Sequence, residues 1–553
     1  MKRTYLPDGW TTLLIAICAF VTGPIAVVLY HLLLPGDDHW AHMSEHVLGR
    51  LIGNTVFLTL GVLSGTALLG VGLAWLVAAF DFPGRAWFRW AMILPFAFPT
   101  YVLGYVWIDI LDVAGPVQGL LADLLGEKPA WFPNPQSGGG LMFVMTLAFY
   151  PYVFMLARGA FEQQGRRALE VARVFGYTPG RAFFKVVLPM ARPWIASGLL
   201  LAGMETLSDF GTVSIFNYDT FTTAIYKAWF GFFSLETAAQ LASMLVLATL
   251  GLLLLEKYFQ HRKRFYQVSQ SDRQMAPFRL HGWRGWALSG LFATVLALGF
   301  GFPLLHLLYW LAQTLSTELR GDYWEWLGHT LFLGFLAALL LGVTATLLAY
   351  APRLKRHRWM GGLVALATMG YALPGSVLAV GVYIPLVWLD DRLYTWITTH
   401  TRWEPQTLIN GTVIIVLAAY LVRFLAVAYQ PIQSAMQRIR PNMDESARSL
   451  GYSRLAILRR IHLPLLRNGL LTACLIVIID VMKEMPITLM TRPFGWDTLA
   501  VRIFELTSEG HYERAALPAS MLVLTGLIPV AMLMWVGNRE KDDGARQVAA
   551  DHE

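Results

Sequence analysis

The sequence predicts an all-α integral membrane protein, with twelve transmembrane helices arranged as two parallel six-helix repeats. Three observations carry that expectation. Of the 553 residues, 56% are hydrophobic and 14% charged, whereas soluble chains carry about 25% charged residues. Apolar runs long enough to cross a bilayer recur from one end to the other. The chain also matches itself without gaps at an offset of 275 residues. Runs this long and uniformly apolar read as helices rather than barrel strands, because a helix satisfies its own backbone inside lipid.

In chain order the candidate spans are 11–34, 53–80, 88–111, 139–158, 194–215, 238–256, 285–312, 327–350, 360–388, 409–430, 467–490 and 517–537. The first follows MKRTYLPDGW and lacks a small-x-small cleavage site, so it reads as an uncleaved span. Basic segments at 83–89, 158–193, 256–267, 351–359 and 431–467 alternate with loops rich in acids and aromatics. That asymmetry places both termini in the cytoplasm. It also accounts for the net charge of +7 and the pI near 9.3 with no nucleic-acid partner. Cys18 and Cys474 lie in apolar runs and read as packing residues, without disulfide or metal-ligand spacing.

The repeat register sets Thr55 on Thr330, Ala74 on Ala349, Pro99 on Pro374, Glu170 on Glu445, Gly176 on Gly451, Pro189 on Pro464, Glu205 on Asp480 and Asp209 on Glu484. It divides the chain into a first membrane domain at 1–256, a cytoplasmic linker at 257–283, a second membrane domain at 284–537 and a polar tail at 538–553 that reads as disordered. Parallel repeats also occur in secondary transporters, so the repeat alone names no mechanism.

One soluble-looking device occurs twice, as EVARVFGYTPGRAFFKVVLP from Glu170 to Pro189 and ESARSLGYSRLAILRRIHLP from Glu445 to Pro464. Each reads as helix, stop, helix. Asn442 and Glu445 have the spacing of a capping box, and Gly176 and Gly451 suit a left-handed stop. Ser453 and the Thr178-Pro179 pair suit the start of a second helix. Ala172 and Phe175, like Ala447 and Leu450, lie three apart and share one helix face. A plainer reading is a pair of amphipathic helices lying on anionic lipid, but a shared internal stop in the same loop of both halves argues against it.

At these residues the chain resembles the permease subunits of binding-protein-dependent ABC importers. The pattern Glu-x-Ala-x3-Gly-x9-hydrophobic-x-Leu-Pro is similar to their EAA loop, with mild departures at Val171, Val186 and Ser446. The resemblance implies a type I, MetI-like permease fold in a bacterial inner membrane. It implies that loops 159–193 and 431–467 dock on two copies of a cytoplasmic ATPase subunit. The docking residues would be Glu170, Ala172, Phe175, Gly176, Leu188 and Pro189, with Glu445, Ala447, Leu450, Gly451, Leu463 and Pro464. It further implies a periplasmic or extracellular substrate-binding protein as partner. The dipeptide Gly-Lys never occurs, so the chain lacks a P-loop. ATP and Mg²⁺ then belong to the partner, and the chain is no enzyme.

Acids stand inside the fifth span of each half: Glu205 and Asp209 in METLSDFGTV, Asp480 and Glu484 in IDVMKEMPITL, with Lys483 between the last two. Four-residue spacing would turn each pair to one helix face. An ionised side chain costs about 2.5–3.5 kcal/mol near the bilayer centre, so such groups line a wet pathway or bind one another across helices. Pro99 and Pro374 either simply kink spans whose backbone neighbouring helices rescue or, at matched positions in the third spans, form kinks beside that pathway. The wording ETLSDFGT and DVMKEMPITL resembles the fused permeases of ferric-iron importers more than those for thiamine, sulfate or polyamines, and carboxylate and phenolate oxygens are compatible with iron(III). His39, His42 and His46 could share a helical face for a divalent metal, or form an ordinary extracytoplasmic loop. The rival functions are an ion-coupled secondary transporter using Asp480 and Glu484, and a membrane anchor or receptor that moves nothing.

Overall fold

The computed structural model describes residues 9–127, 131–261, 278–319, 321–354 and 359–532. Among them, eight helices are long and apolar enough to span a bilayer unbroken: Gly9–His31, Asp38–Ala79, Gly138–Glu162, Gly180–Ser208, Leu235–Phe259, Trp283–Glu318, Tyr323–Leu354 and Val413–Gln437. Three further candidates are bent pairs: Arg85–Ala97 with Thr100–Leu125 at 92°, Met360–Ala372 with Gly375–His400 at 115°, and Arg454–Leu465 with Arg467–Lys483 at 75°. A shorter apolar helix covers Ala516–Met532. The expected twelve spans are reached only if each bent pair and this short helix are counted.

Straight spans at 88–111 and 360–388 are not what forms. The residue before a proline is pushed out of the helical region, and Phe98 (ψ 127°) and Leu373 (ψ 143°) are both extended. Pro99 and Pro374 follow with nearly identical backbones, φ −57° and ψ 140° or 142°, and each begins a new helix. The internal repeat is thus written in the dihedrals as well as in the letters.

The helices gather into two compact units, and neither is a continuous half of the sequence. One unit holds the described residues of Met1–Gly49, Phe221–Leu247 and Leu319–Arg502; the other holds those of Arg50–Thr220, Ala248–Glu318 and Ile503–Glu553. Each unit therefore takes the first helix of the opposite sequence half.

In the second of these units, Phe292 from helix Trp283–Leu296 lies 5.1 Å from Phe82 and 5.6 Å from Phe88, ring to ring. Trp75 packs on Phe161 (5.7 Å) and Phe183 (4.7 Å) in the same buried cluster. Helices Gly138–Val174 and Leu188–Ser208 approach closely through a small residue, since a Cβ at Gly198 would stand 2.8 Å from Val153 Cα. Small residues at such crossings are how membrane helices gain van der Waals contact where lipid supplies no hydrophobic drive.

In the first unit, helix Gly9–His31 lies along helix Gly375–His400, where a Cβ at Gly381 would meet the Pro24 carbonyl at 2.8 Å. Trp10 meets Tyr350 edge-on at 5.2 Å, and the Ser243 hydroxyl donates to Val28 O at 2.6 Å. Helices Tyr323–Leu354, Val413–Gln437 and Arg467–Lys483 form the body of this unit. The linker residues 262–277 and the tail 538–553 lie outside the described residues.

Candidate coupling loops and broken spans

The second polar loop is built by local backbone chemistry. Its helix Pro441–Ser449 starts with proline at the first helical position, where the missing N–H costs nothing. The expected capping box is not formed: Arg440 is the cap residue, Asn442 lies inside the first turn, and Glu445 is exposed. The proline fixed the start one register earlier than the Asn442 cap required. The stop is as expected. Gly451 is left-handed at φ 84°, Tyr452 N–H donates to Ala447 O at 3.1 Å, and Gly451 N–H donates to Arg448 O at 2.9 Å. Together these bonds make a Schellman motif. Ser453 then caps the next helix by accepting from Ala456 N–H at 3.3 Å. A π turn, Leu458–His462, leads into Leu463 and Pro464.

The first loop reaches the same stop by another route. Helix Gly138–Val174 runs unbroken from the span into the loop, because Arg166 stands where Pro441 interrupts the second copy. Gly176 is left-handed at φ 69°, and a new helix begins at Pro179. A π turn, Phe183–Val187, precedes Leu188 and Pro189. The side chains of Glu170 and Ala172 lie outside the described residues.

Ala447 and Leu450 do not share a face as expected. Ala447 is buried, whereas Leu450, at the helix C-cap, is 77% exposed. Its repeat partner Phe175 is 71% exposed. Each loop thus presents a large apolar side chain to solvent immediately before a left-handed glycine, beside other exposed apolar residues such as Phe184 and Leu455.

Beneath the second loop lies a polar cluster that sequence reasoning missed. Buried Asp444 accepts from Arg353 Nε at 2.6 Å and contacts His462 Nε2 at 2.7 Å. Arg353 also donates to Met436 O (3.0 Å) and Ile439 O (2.8 Å), and Tyr350 OH donates to Arg454 O (2.8 Å). The equivalent first-half positions are Ala78, Leu169 and Val187, all apolar. The first loop is rooted instead by Arg89 with Glu162 (2.5 Å) and by Arg158, which donates to Arg89 O and covers the Trp90 ring at 4.8 Å.

The membrane acids do not ride as i, i+4 pairs on continuous helices. Helix Leu188–Ser208 ends at Asp209 (ψ 127°), and helix Arg467–Lys483 ends at Glu484 (ψ 115°). Each of these two carboxylates folds over the next turn of chain. Asp209 accepts from Thr212 N–H (2.9 Å), Val213 N–H (3.2 Å) and the Thr212 hydroxyl (2.8 Å). Glu484 accepts from Ile487 N–H at 3.1 Å and is paired with Arg423, Nε to Oε2, at 3.2 Å. Glu205 receives the Tyr152 hydroxyl at 3.4 Å, and Asp480 interacts electrostatically with Lys483. Arg423 was legible as a lone charge in an apolar run. Its pairing with Glu484 was not, because the two are far apart in sequence.

The three histidines are not brought together. His39 stacks on Phe232 at 5.6 Å, while His42 and His46 meet edge-on at 4.9 Å. Among the described residues no group of three His, Cys, Asp or Glu is placed to hold a metal ion. The loop is organised by Asp37, which accepts from Trp40 N–H (2.8 Å), Ser234 Oγ (2.5 Å) and Thr237 Oγ1 (2.6 Å). Desolvation pushes its carboxyl up, but these donors outweigh that and hold it below the usual carboxylate range.

The family described as binding-protein-dependent transport system inner membrane component matches this chain twice, at residues 68–265 and 342–539. The Fe(3+)-transport system permease protein FbpB 2 of Haemophilus influenzae is 27% identical over 95% of this chain and 98% of that protein. The ferric transport system permease protein FbpB of Actinobacillus pleuropneumoniae is 23% identical over 95% of this chain and 77% of its own length. The sulfate transport system permease protein CysT of Escherichia coli is 28% identical, over 38% of this chain and 76% of its own.

Proposed function

This chain belongs to the family of binding-protein-dependent transport system inner membrane components, and from that membership we propose that it is the translocation subunit of an ATP-driven importer of iron(III). It carries both membrane halves of the importer in one multi-pass chain, with both termini on the cytoplasmic side. A substrate-binding protein delivers the cargo to the outer face. Two ATPase subunits hold ATP and Mg²⁺ and grip the two polar loops, and their approach swings the halves between inward-open and outward-open arrangements. The hydrolysis is theirs, and this chain is no enzyme.

The observation that carries the reading is the matched pair of exposed side chains, Phe175 and Leu450, each set before a left-handed glycine. An amphipathic helix lying on lipid has no need of an exposed apolar side chain directly before a stop glycine in both repeats. A groove in each of two identical partners does. The iron(III) assignment is supported by likeness to ferric permeases along nearly the whole chain, where the sulfate permease is similar over a part. The hard carboxylate oxygens of Glu205, Asp209, Asp480 and Glu484, taken residue by residue, are compatible with such a cation.

Reconstitution of this chain with its ATPase and binding-protein partners in proteoliposomes tests the reading. Radiolabelled ferric iron should accumulate only with ATP and all partners present. Accumulation by this chain alone, driven by a proton or sodium gradient, would point to the secondary transporter instead. ATP-driven accumulation of sulfate but not of iron would keep the importer and replace its cargo.

A further inference from the structure

We infer that Arg423 is a positioning residue of the transport cycle: it ties the helix break at Leu373–Gly375 to the helix break at Glu484, so that two broken spans of one unit move as a single piece. The inference rests on the transport reading above and assigns a role within it.

Arg423 is the sole charged side chain of helix Val413–Gln437. It is largely buried, as is Glu484. Two interrupted spans converge on it. At the first, the chain turns through Leu373 and Pro374, and the carbonyl of Leu373 accepts from Arg423 Nη1 at 2.9 Å. That carbonyl is one of those a helix end leaves without an intrahelical partner. At the second, Glu484 ends helix Arg467–Lys483; its Oε2 lies 3.2 Å from Arg423 Nε, an ion pair by distance whose N–H is not aligned as a hydrogen bond. The other carboxylate oxygen accepts from Ile487 N–H at 3.1 Å. A single guanidinium therefore meets a backbone carbonyl of one break and the carboxylate of the other.

The two breaks also touch directly. A Cβ at Gly375 would stand 2.7 Å from Glu484 Oε1 and 2.9 Å from Pro486 Cγ, so the start of helix Gly375–His400 packs on the turn that follows Glu484. A planar fork of donors can serve both partners from one stem, whereas an ammonium is a point charge. In the repeat register, Arg423, Gly375 and Glu484 correspond to Ala148, Thr100 and Asp209. The first half repeats the breaks and one carboxylate but has no guanidinium between them. The tie is thus an addition to the repeated plan, placed where two jointed spans meet.

A pair that merely stabilises the fold would lower uptake only as far as it lowers the amount of folded protein. The test therefore compares R423K, R423Q, E484Q and R423Q/E484Q in the full transporter. Thermal unfolding in detergent, ATP hydrolysis and ferric-iron uptake are measured for each. R423K keeps the charge but cannot hold both partners, so it should retain folding and hydrolysis while uptake per ATP falls by about tenfold. R423Q/E484Q should be no worse than R423Q, because either change alone already opens the tie. Wild-type uptake per ATP in R423K would overturn the positioning role. Losses of R423Q and E484Q that add independently in unfolding temperature would remove the tie itself. If the unsubstituted transporter shows no ATP-driven uptake, the importer reading fails, while the unfolding comparison still decides whether Arg423 and Glu484 act as one unit.

Discussion

Asp444 Oδ1 lies 2.7 Å from His462 Nε2, and the other oxygen of the same carboxylate takes Arg353 Nε at 2.6 Å. One buried acid thereby fastens the loop helix Pro441–Ser449 both to the end of helix Tyr323–Leu354 and to the π turn Leu458–His462. Removing the carboxylate of a buried ionic pair costs more than the pair contributes, because Arg353 keeps its charge without an acid to balance it. Asp444→Ala is therefore expected to destabilise the protein by about 3–5 kcal/mol. Asp444→Asn keeps an acceptor and should cost less. Thermal unfolding, together with protease cleavage within residues 431–467, reads both effects. Equal stability of Asp444→Ala and wild type would mean that the loop is held by something else.

Phe175 and Leu450 are expected to act on association rather than on folding. Both are more than two-thirds exposed, at 71% and 77%, so truncation removes little internal packing. If each fills a groove in an ATPase subunit, Phe175→Ala and Leu450→Ala should each weaken binding by at least about 1–2 kcal/mol, the range of an interface anchor. Stability should stay within about 0.5 kcal/mol, as for other surface changes. Co-purification with the ATPase against an unchanged unfolding temperature separates the two effects. Undiminished co-purification of the double variant would leave the matched knobs without a function.

The left-handed glycines give a third prediction. Neither Gly176 (φ 69°) nor Gly451 (φ 84°) has any neighbour within 4 Å of where a Cβ would stand, so substitution meets no steric obstacle beyond its own backbone. The cost of alanine is then the conformational one, about 1–2 kcal/mol per site. Asparagine, which tolerates this region, should cost less. Alanine at either position should also disturb the placement of the preceding knob and lower ATP-coupled uptake more than asparagine does. Coupling assays on the Ala and Asn variants, with expression level controlled, check the order.

Much of this was legible because it is local or repeated. The glycine stops, the Ser453 cap and the Leu-Pro returns follow from residues within a turn of each other, and the offset of 275 residues showed each of them twice. The same locality misled at Asn442, where the Pro441 beside it already determined the first helical turn. Periodicity also failed at Asp209 and Glu484: the apolar run continues through both positions, yet the helix stops there. Charges that pair through space left only half a signal. Arg353, Asp444 and His462 span 110 positions, and Arg423 and Glu484 stand 61 apart, so no window in the sequence contains the whole set. The exchange of first helices between the two units was likewise hidden, because it depends on packing among many apolar faces that look alike in one dimension.

Asp209 offers a test of whether a membrane carboxylate serves the backbone or the cargo. Its two oxygens accept from the N–H groups of Thr212 and Val213 and from the Thr212 hydroxyl, which secures the turn after helix Leu188–Ser208. Asp209→Ala removes all three bonds and should cost about 0.5–2 kcal/mol, the range for loss of a capping side chain. Asp209→Asn retains a carbonyl oxygen for the backbone donors and removes the charge, so its stability should lie near wild type. If the acid only caps the turn, uptake will follow stability, and asparagine will transport almost normally. If the carboxylate also draws a cation along the pathway, uptake by Asp209→Asn should fall by about tenfold with folding intact, since a neutral amide supplies no charge to a hard cation. Uptake rates for the two variants, normalised to folded protein, separate these outcomes. Full activity in Asp209→Asn would confine Asp209 to the backbone role and shift the search for cargo contacts to Glu205 and Asp480.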